Sequence, residues 1–281
     1  MAECTSDCSS CGVEGCGDRE KPDFRAYLNE HSNVKKVIGV VSGKGGVGKS
    51  LVTSMLAVQA CKAGHKTAIL DADITGPSIP KAFGLDGIPE LAYEKYMIPI
   101  KSKTGIDTMS INYLLQNQTD PVVWRGPVIA GAVKQFWTDV IWEDLDVLFI
   151  DMPPGTGDIH ISLVQDIPME GAVIVTTPQT VALADVEKGV NMFRNPSINK
   201  LVLGLVENMA WFTPAELPDN KYYLFGKDGG KKMAEELGIE LLGQVPIVQS
   251  IREGGDSGEP VALGSGPDGL AFLEIARKLA E

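Results

Sequence analysis

One short run, Val37-Ile-Gly-Val-Val-Ser-Gly-Lys-Gly-Gly-Val-Gly-Lys-Ser50, constrains this chain more than any other. It joins an apolar strand, a glycine-rich turn and a helix-forming segment end to end. Gly43, Gly48, Lys49 and Ser50 satisfy the pattern GxxxxGK[ST], which carries weight only in that strand-to-helix setting. Without Cβ atoms, Gly43, Gly45, Gly46 and Gly48 let the backbone curl, so that the loop N–H groups, those of Lys44 and Val47 included, face inward. The helix that follows adds the positive end of its dipole. Such a loop cradles the phosphates of ATP, with Lys49 reaching the β- and γ-phosphates and Ser50 ligating Mg²⁺.

The rest of the chain repeats the same alternation. Val37–Val41, Thr67–Leu70, Val147–Ile150, Ala172–Thr176, Leu201–Val206 and Leu241–Val245 are apolar along almost their whole length, as strands buried on both faces are. Helical stretches fit at 49–63, 127–140, 158–166, 180–194, 228–237 and 267–280. The order predicts an α/β fold, a doubly wound, mostly parallel sheet with right-handed crossovers. Residues 95–115 read as an inserted hairpin turning at Thr104-Gly105. The expected division is a Cys-rich segment over 1–20, a short helix (22–33, using Phe24, Tyr27 and Leu28) with a linker to 36, and a P-loop ATPase domain over 37–281.

Acids stand where such a sheet places its ligand, at the carboxyl ends of strands. Thr67-Ala-Ile-Leu-Asp-Ala-Asp73 offers Asp73 to orient the attacking water and Asp71 to support the loop or a metal-bound water. Asp146-Val-Leu-Phe-Ile-Asp151 is a buried strand ending in an acid, so Asp151 is expected to hold Mg²⁺ through water. Pro154, Gly155, Thr156 and Gly157 follow it and can sense the γ-phosphate and move after hydrolysis. Val206-Glu207-Asn208 ends a later strand and resembles the segment in which related P-loop ATPases carry an asparagine that reads the adenine edge; Pro246, just after the next strand, could flank the ring.

Composition limits the partners. The net charge of −12 repels nucleic acid and anionic lipid, and no basic stripe offsets it. No apolar run approaches the roughly 18 residues of a membrane span. The first residues, polar and Cys-rich, do not read as a signal peptide, so the cytoplasm is the expected compartment. There, clustered cysteines point to metal or redox work rather than disulfides. Four of the 5 cysteines stand as Cys4-x3-Cys8-x2-Cys11-x4-Cys16, in a segment with too little apolar content to build a core. Four thiolates suit a 4Fe–4S cubane or a tetrahedral zinc ion, with Cys8 and Cys11 as central ligands completed by Cys4 and Cys16. Cys61 reads as an ordinary buried helix residue.

The loop form Lys44-Gly-Gly-Val-Gly-Lys-Ser50 resembles the deviant Walker A families: the nitrogenase iron protein, the MinD and ParA positioning ATPases, and the Mrp-type carriers. Further blocks narrow the choice. Asp71-Ala-Asp-Ile-Thr-Gly-Pro-Ser-Ile-Pro80, Val123-Trp-Arg-Gly-Pro127, Asp151-Met-Pro-Pro-Gly-Thr-Gly-Asp158, Thr177-Pro-Gln179 and Glu207-Asn-Met209 closely resemble the Mrp or ApbC-like (Nbp-type) family. The resemblance covers about 37–281. It implies a homodimer in which Lys44 crosses to the partner's nucleotide, slow ATP hydrolysis, binding of an iron–sulfur cluster, and its transfer to apo-proteins. One departure is clear. Most members carry Cys-x-x-Cys shortly after the Glu-Asn-Met block, where two subunits share a cluster, and 211–226 contains no cysteine. Other readings remain: a MinD- or ParA-like positioning ATPase, a nitrogenase-like electron donor, which lacks its paired core cysteines here, or a nucleotide-switched adaptor with a zinc-binding tail.

Overall fold

A computed structural model describes residues 25–74, 76–115, 126–214, 216–260 and 267–280. The 1–20 segment, with Cys4, Cys8, Cys11 and Cys16, lies outside the described residues. So does most of the Val123–Pro127 block.

The central strand β1 (Ser32–Ser42) lies between β7 (Glu143–Pro154) and β8 (Gly171–Thr176), parallel to both. Beyond β7 come β2 (Thr67–Asp71) and β6 (Asp107–Ser110), again parallel. Beyond β8 come β9 (Leu201–Glu207) and β10 (Leu241–Gln244). β5 (Ile100–Lys101) closes the far edge antiparallel to β6, giving eight strands in the order β10-β9-β8-β1-β7-β2-β6-β5. A separate small hairpin pairs β3 (Leu91–Ala92) with β4 (Tyr96–Met97).

Side chains alternate across the sheet and divide its apolar content into two cores. Ile38, Val40, Ile69 and Phe149 face α1 (Lys49–Lys62) and α8 (Pro267–Ala280), joined there by Leu56, Phe272 and Ile275. Val37, Val41, Leu70, Leu148 and Ile150 face the other layer. That layer holds α3 (Gly126–Asp139), α4 (Asp158–Asp166), α5 (Thr180–Arg194) and α6 (Gly229–Leu237), with Phe136, Trp137 and Phe193 in the core. α1 is buried from Val52 through Gln59, which is why it reads apolar nearly all round rather than as one stripe.

Three expectations need correction. Residues 25–29 are not helical, and β1 begins at Ser32, within the span expected to be helix and linker. Its first half pairs with β7 alone, from Ser32↔Glu143 onward, and meets β8 only from Ile38, so exposed polar residues are tolerated there. The hairpin at Thr104-Gly105 forms, with Ile100 opposite Thr108 and Gly105 at φ 86°, but it is not an insertion. Its second strand is β6 of the main sheet. Two short helices, α2 (Ile79–Ala82) and α7 (Gln249–Ser257), were not anticipated; α2 is only 4 residues long, and Gly254-Gly255 lowers the helix propensity of α7.

Candidate nucleotide site

The sheet order brings the motifs to one edge. β7 lies between β1 and β2, and its Asp151 is level with Val40 on one side and Asp71 on the other. The glycine-rich loop leaves β1 at this edge and enters α1 at Lys49. Gly46 (φ 83°) and Gly48 (φ 84°) are left-handed, a conformation that disfavours side chains. Gly43 is required by crowding instead: a Cβ there would lie 2.5 Å from the Cβ of Asp185 in α5. Around Gly45 and Gly46 the space is open. The loop borders a cleft of about 210 Å³, lined also by Ser42, Lys49, Ser50, Leu51, Asp73 and Pro154. Lys44 is exposed at the loop tip and Val47 is buried beneath it.

Charged groups converge below the cradle. Lys49 Nζ lies 2.8 Å from Asp151 Oδ1 and 3.6 Å from Asp73 Oδ2. Ser50 Oγ donates to Asp151 Oδ2 at 2.5 Å, and Thr53 Oγ1 donates to Asp151 Oδ1 at 2.8 Å. Asp151 is fully buried, so these partners replace the water it gives up. Asp71, equally buried, accepts from the Asp73 amide (3.2 Å), the Ile79 amide (3.3 Å) and Ser110 Oγ (3.2 Å). Burial first, then the charge of Asp151, pushes Asp71 up to about 8 against the pull of Lys49. At neutral pH it is therefore largely the uncharged member of the group. Its three donors, two of them backbone amides, suit a structural role behind Asp73. The adjoining oxygens of Ser50 and Asp151 form an all-oxygen donor pair beside the phosphate cradle, which fits a hard divalent cation such as Mg²⁺.

The segment that follows Asp151 is tied to the loop and to the next helix. The Gly155 amide donates to the Ser42 carbonyl at 2.8 Å, with Gly155 at φ 100°. The His160 amide donates to the Gly157 carbonyl at 3.0 Å, and the His160 ring meets the Pro153 carbonyl at 2.7 Å. Pro154 and Gly157 are exposed, and Thr156 is half-buried. On the far side, Asn208 is buried and its Nδ2 donates to the Val47 carbonyl at 2.9 Å. That amide supports the phosphate loop from beneath, a task the sequence reading did not foresee. Pro246 is buried near Asn208, because the Val245 amide bonds the Glu207 carbonyl and the Ala210 amide bonds the Val245 carbonyl.

Thr53, Ser110 and His160 also belong to this neighbourhood and were missed. Thr53 lies one helical turn beyond Lys49 on the same face, a spacing the sequence shows. Ser110 and His160 arrive from other elements and leave no local signal. Cys61 is half-buried rather than buried, and its thiol faces the Thr104 carbonyl at 3.2 Å. Among the described residues, no group of three or more His, Cys, Asp or Glu side chains is placed to hold a metal ion.

A parallel sheet with a glycine cradle, a loop lysine in the GxxxxGK[ST] pattern and two strand-end acids at its carboxyl edge defines a P-loop nucleotide-binding protein. A sequence-family model described as ParA, NUBPL iron-transfer P-loop NTPase, matches residues 33–280, and the chain belongs to that family. The iron–sulfur cluster carrier protein of Methanocaldococcus jannaschii is 42% identical over 286 residues, covering 100% of this chain and 98% of the relative. The iron–sulfur cluster transfer protein NUBPL of Mus musculus is 44% identical over 250 residues, covering 88% and 77%. Among solved structures, a nucleotide-binding protein from Archaeoglobus fulgidus in complex with ADP superposes with a TM-score of 0.74 at 40% identity, covering 85% of this chain and 92% of that one. The cell division ATPase MinD of Pyrococcus furiosus shares the fold, with a TM-score of 0.60 at 22% identity and coverage of 87% and 98%.

Proposed function

We propose that this protein is an ATP-dependent iron–sulfur cluster carrier that binds a cluster, hydrolyses ATP and passes the cluster to apo-proteins in the cytoplasm. The observation that carries the nucleotide half is the convergence of Lys49, Ser50, Asp73 and Asp151 on one cleft under the glycine loop. Family membership and the cluster-carrier relatives support the cargo.

In this reading the loop amides and Lys49 bind the β- and γ-phosphates. Ser50 and Asp151 hold Mg²⁺, which supplies charge neutralisation at the phosphates when bound. Asp73 orients the attacking water. Gly155, by giving up its bond to the Ser42 carbonyl, and Gly157 present amides to the γ-phosphate, and Asn208 with Pro246 lines the side on which the base lies. Two chains face each other across the nucleotides, with Lys44 reaching into the partner's site. The cluster sits on Cys4, Cys8, Cys11 and Cys16 of the 1–20 segment, because 211–226 offers no thiolate.

Anaerobic reconstitution with iron and sulfide tests the cargo. The expected result is about four irons per cluster with matching sulfide, lost in a Cys8→Ser/Cys11→Ser variant. Iron retained by that variant would move the site elsewhere. Stoichiometric zinc in place of iron would favour a switched adaptor with a zinc-binding tail.

A further inference from the structure

His160 is a buried polar side chain beside the phosphate site, at 2% exposure, and the mechanism above leaves it without a task. It stands in the first turn of α4, directly after the switch loop. Burial holds its imidazole below the ordinary histidine range, so the neutral ring is the resident form. The neutral ring with its proton on Nε2 donates to the Pro153 carbonyl at 2.7 Å, leaving Nδ1 with no partner among the described residues. A buried lone pair left unmatched carries a cost, and the bond to Pro153 offsets it on the other ring nitrogen. With the His160 amide on the Gly157 carbonyl, that bond closes residues 153–157 and the first turn of α4 into a single unit.

The other end of α4 has an equally specific attachment. The carbonyl of Asp166, its last residue, accepts from the Ala26 amide at 2.7 Å. The Ala26 carbonyl accepts from Trp137 Nε1 of α3 at 3.0 Å. The Asp166 carboxylate pairs with Lys134 of α3 at 3.3 Å. Ala26 is buried, and both its backbone groups are committed to these two helices. It stands ten residues after Cys16, the last of the four clustered cysteines.

We propose that α4 couples the phosphate-sensing loop to the root of the cysteine-bearing N-terminal segment, and that His160 is the positioning residue at the nucleotide end of this coupling. A γ-phosphate that draws the Gly155 amide away from the Ser42 carbonyl moves the loop through its His160 attachment. Because the loop is closed onto the helix, α4 shifts as a rod. Nine residues at about 1.5 Å each carry the displacement roughly 13 Å to Ala26. The consequence for cluster release rests on the proposed function. The coupling to Ala26 stands on the geometry.

Hydrogen exchange read by mass spectrometry on the full chain tests it, with and without Mg²⁺ and adenylyl imidodiphosphate. Wild type, His160→Leu and His160→Gln are compared; Leu drops the donor, whereas Gln places an N–H within the reach of Nε2. In wild type, the analogue should change exchange across 25–31 by about threefold or more. His160→Leu should bind the analogue within about threefold of wild type and hydrolyse ATP with KM little altered and kcat down roughly 5- to 20-fold, but lose the change at 25–31. His160→Gln should restore most of it. Trp137→Phe, which loosens Ala26 without touching the nucleotide site, should shrink the response at 25–31 while leaving kcat unchanged. This second variant decides the matter if His160→Leu does not fold. An equal response at 25–31 in wild type and in the folded variants overturns the coupling, as does analogue binding by wild type with no response there. Failure of wild type to bind the analogue would overturn the ATPase reading itself.

Discussion

Lys49 is held by two carboxylates, Asp151 at 2.8 Å and Asp73 at 3.6 Å, so a phosphate that takes it must compete with Asp151. Removing the lysine leaves a buried carboxylate without its cation, a loss on the order of 3–5 kcal/mol when nothing relaxes. Lys49→Ala should therefore lower thermal stability as well as ATP hydrolysis, the latter by about 100-fold or more. Calorimetry beside a phosphate-release assay checks both. A variant as stable as wild type would show that the carboxylates do not depend on the lysine. Asp71 makes a pH prediction. In the folded chain it keeps its proton up to about 8, whereas in the unfolded chain it releases it near the usual value of about 3.9. Between those values the native state binds more protons, so stability falls as pH rises through that window. Asp71→Asn should flatten this dependence, which thermal denaturation from pH 5 to 8 would reveal. Identical slopes in the two chains would contradict it.

At the scale of elements, α6 shows how one strand end holds a helix. Its own N-cap, Asp228, is left-handed and makes no side-chain cap. Glu207 at the end of β9 takes that role, accepting from the Gly230 amide and, at 3.3 Å, from the Lys231 amide, and from Gln244 Nε2 at 2.7 Å. A buried carboxylate on a helix N-terminus satisfies orphan amides and gains from the dipole. Glu207→Ala should cost about 2–3 kcal/mol, estimated from hydrogen bonds to a charged group. Chemical denaturation would measure it, and exchange should rise first in 229–237. The same residue adjoins Asn208, so loosening α6 should also weaken support of the phosphate loop.

For the whole molecule, ligand linkage is the direct readout. Anything that binds the folded chain alone stabilises it, by about 2.7 kcal/mol at a hundredfold excess over Kd. A domain of this size gains roughly 2–4 °C per kcal/mol, so ATP with Mg²⁺ should raise Tm by about 5–10 °C in wild type and by little in Lys49→Ala. An equal shift in both would place nucleotide binding away from the glycine loop. No helix among the described residues is long and apolar enough to cross a membrane.

The sequence by itself determined the parts whose causes are local. A glycine run between strand and helix has one backbone solution, and apolar runs buried on both faces identify themselves without a partner. The loop from Gly43 to Ser50, the parallel α/β class and the strand-end acids at Asp73 and Asp151 were legible for that reason. What tertiary structure decided depends on pairing between distant residues. Ser32–Lys36 joins β1 because β7 accepts it as a partner, although its polar pattern suggests a surface linker. β6 enters the main sheet beside β2 through the register Ala68↔Asp107, which no local pattern encodes. Asn208 supports Val47, Ser110 reaches Asp71, and His160 holds Pro153, each through a hydrogen bond whose acceptor is set by packing. Residue type announces a donor; the fold chooses its acceptor, because the distance between them exists only once the two cores have closed on the sheet.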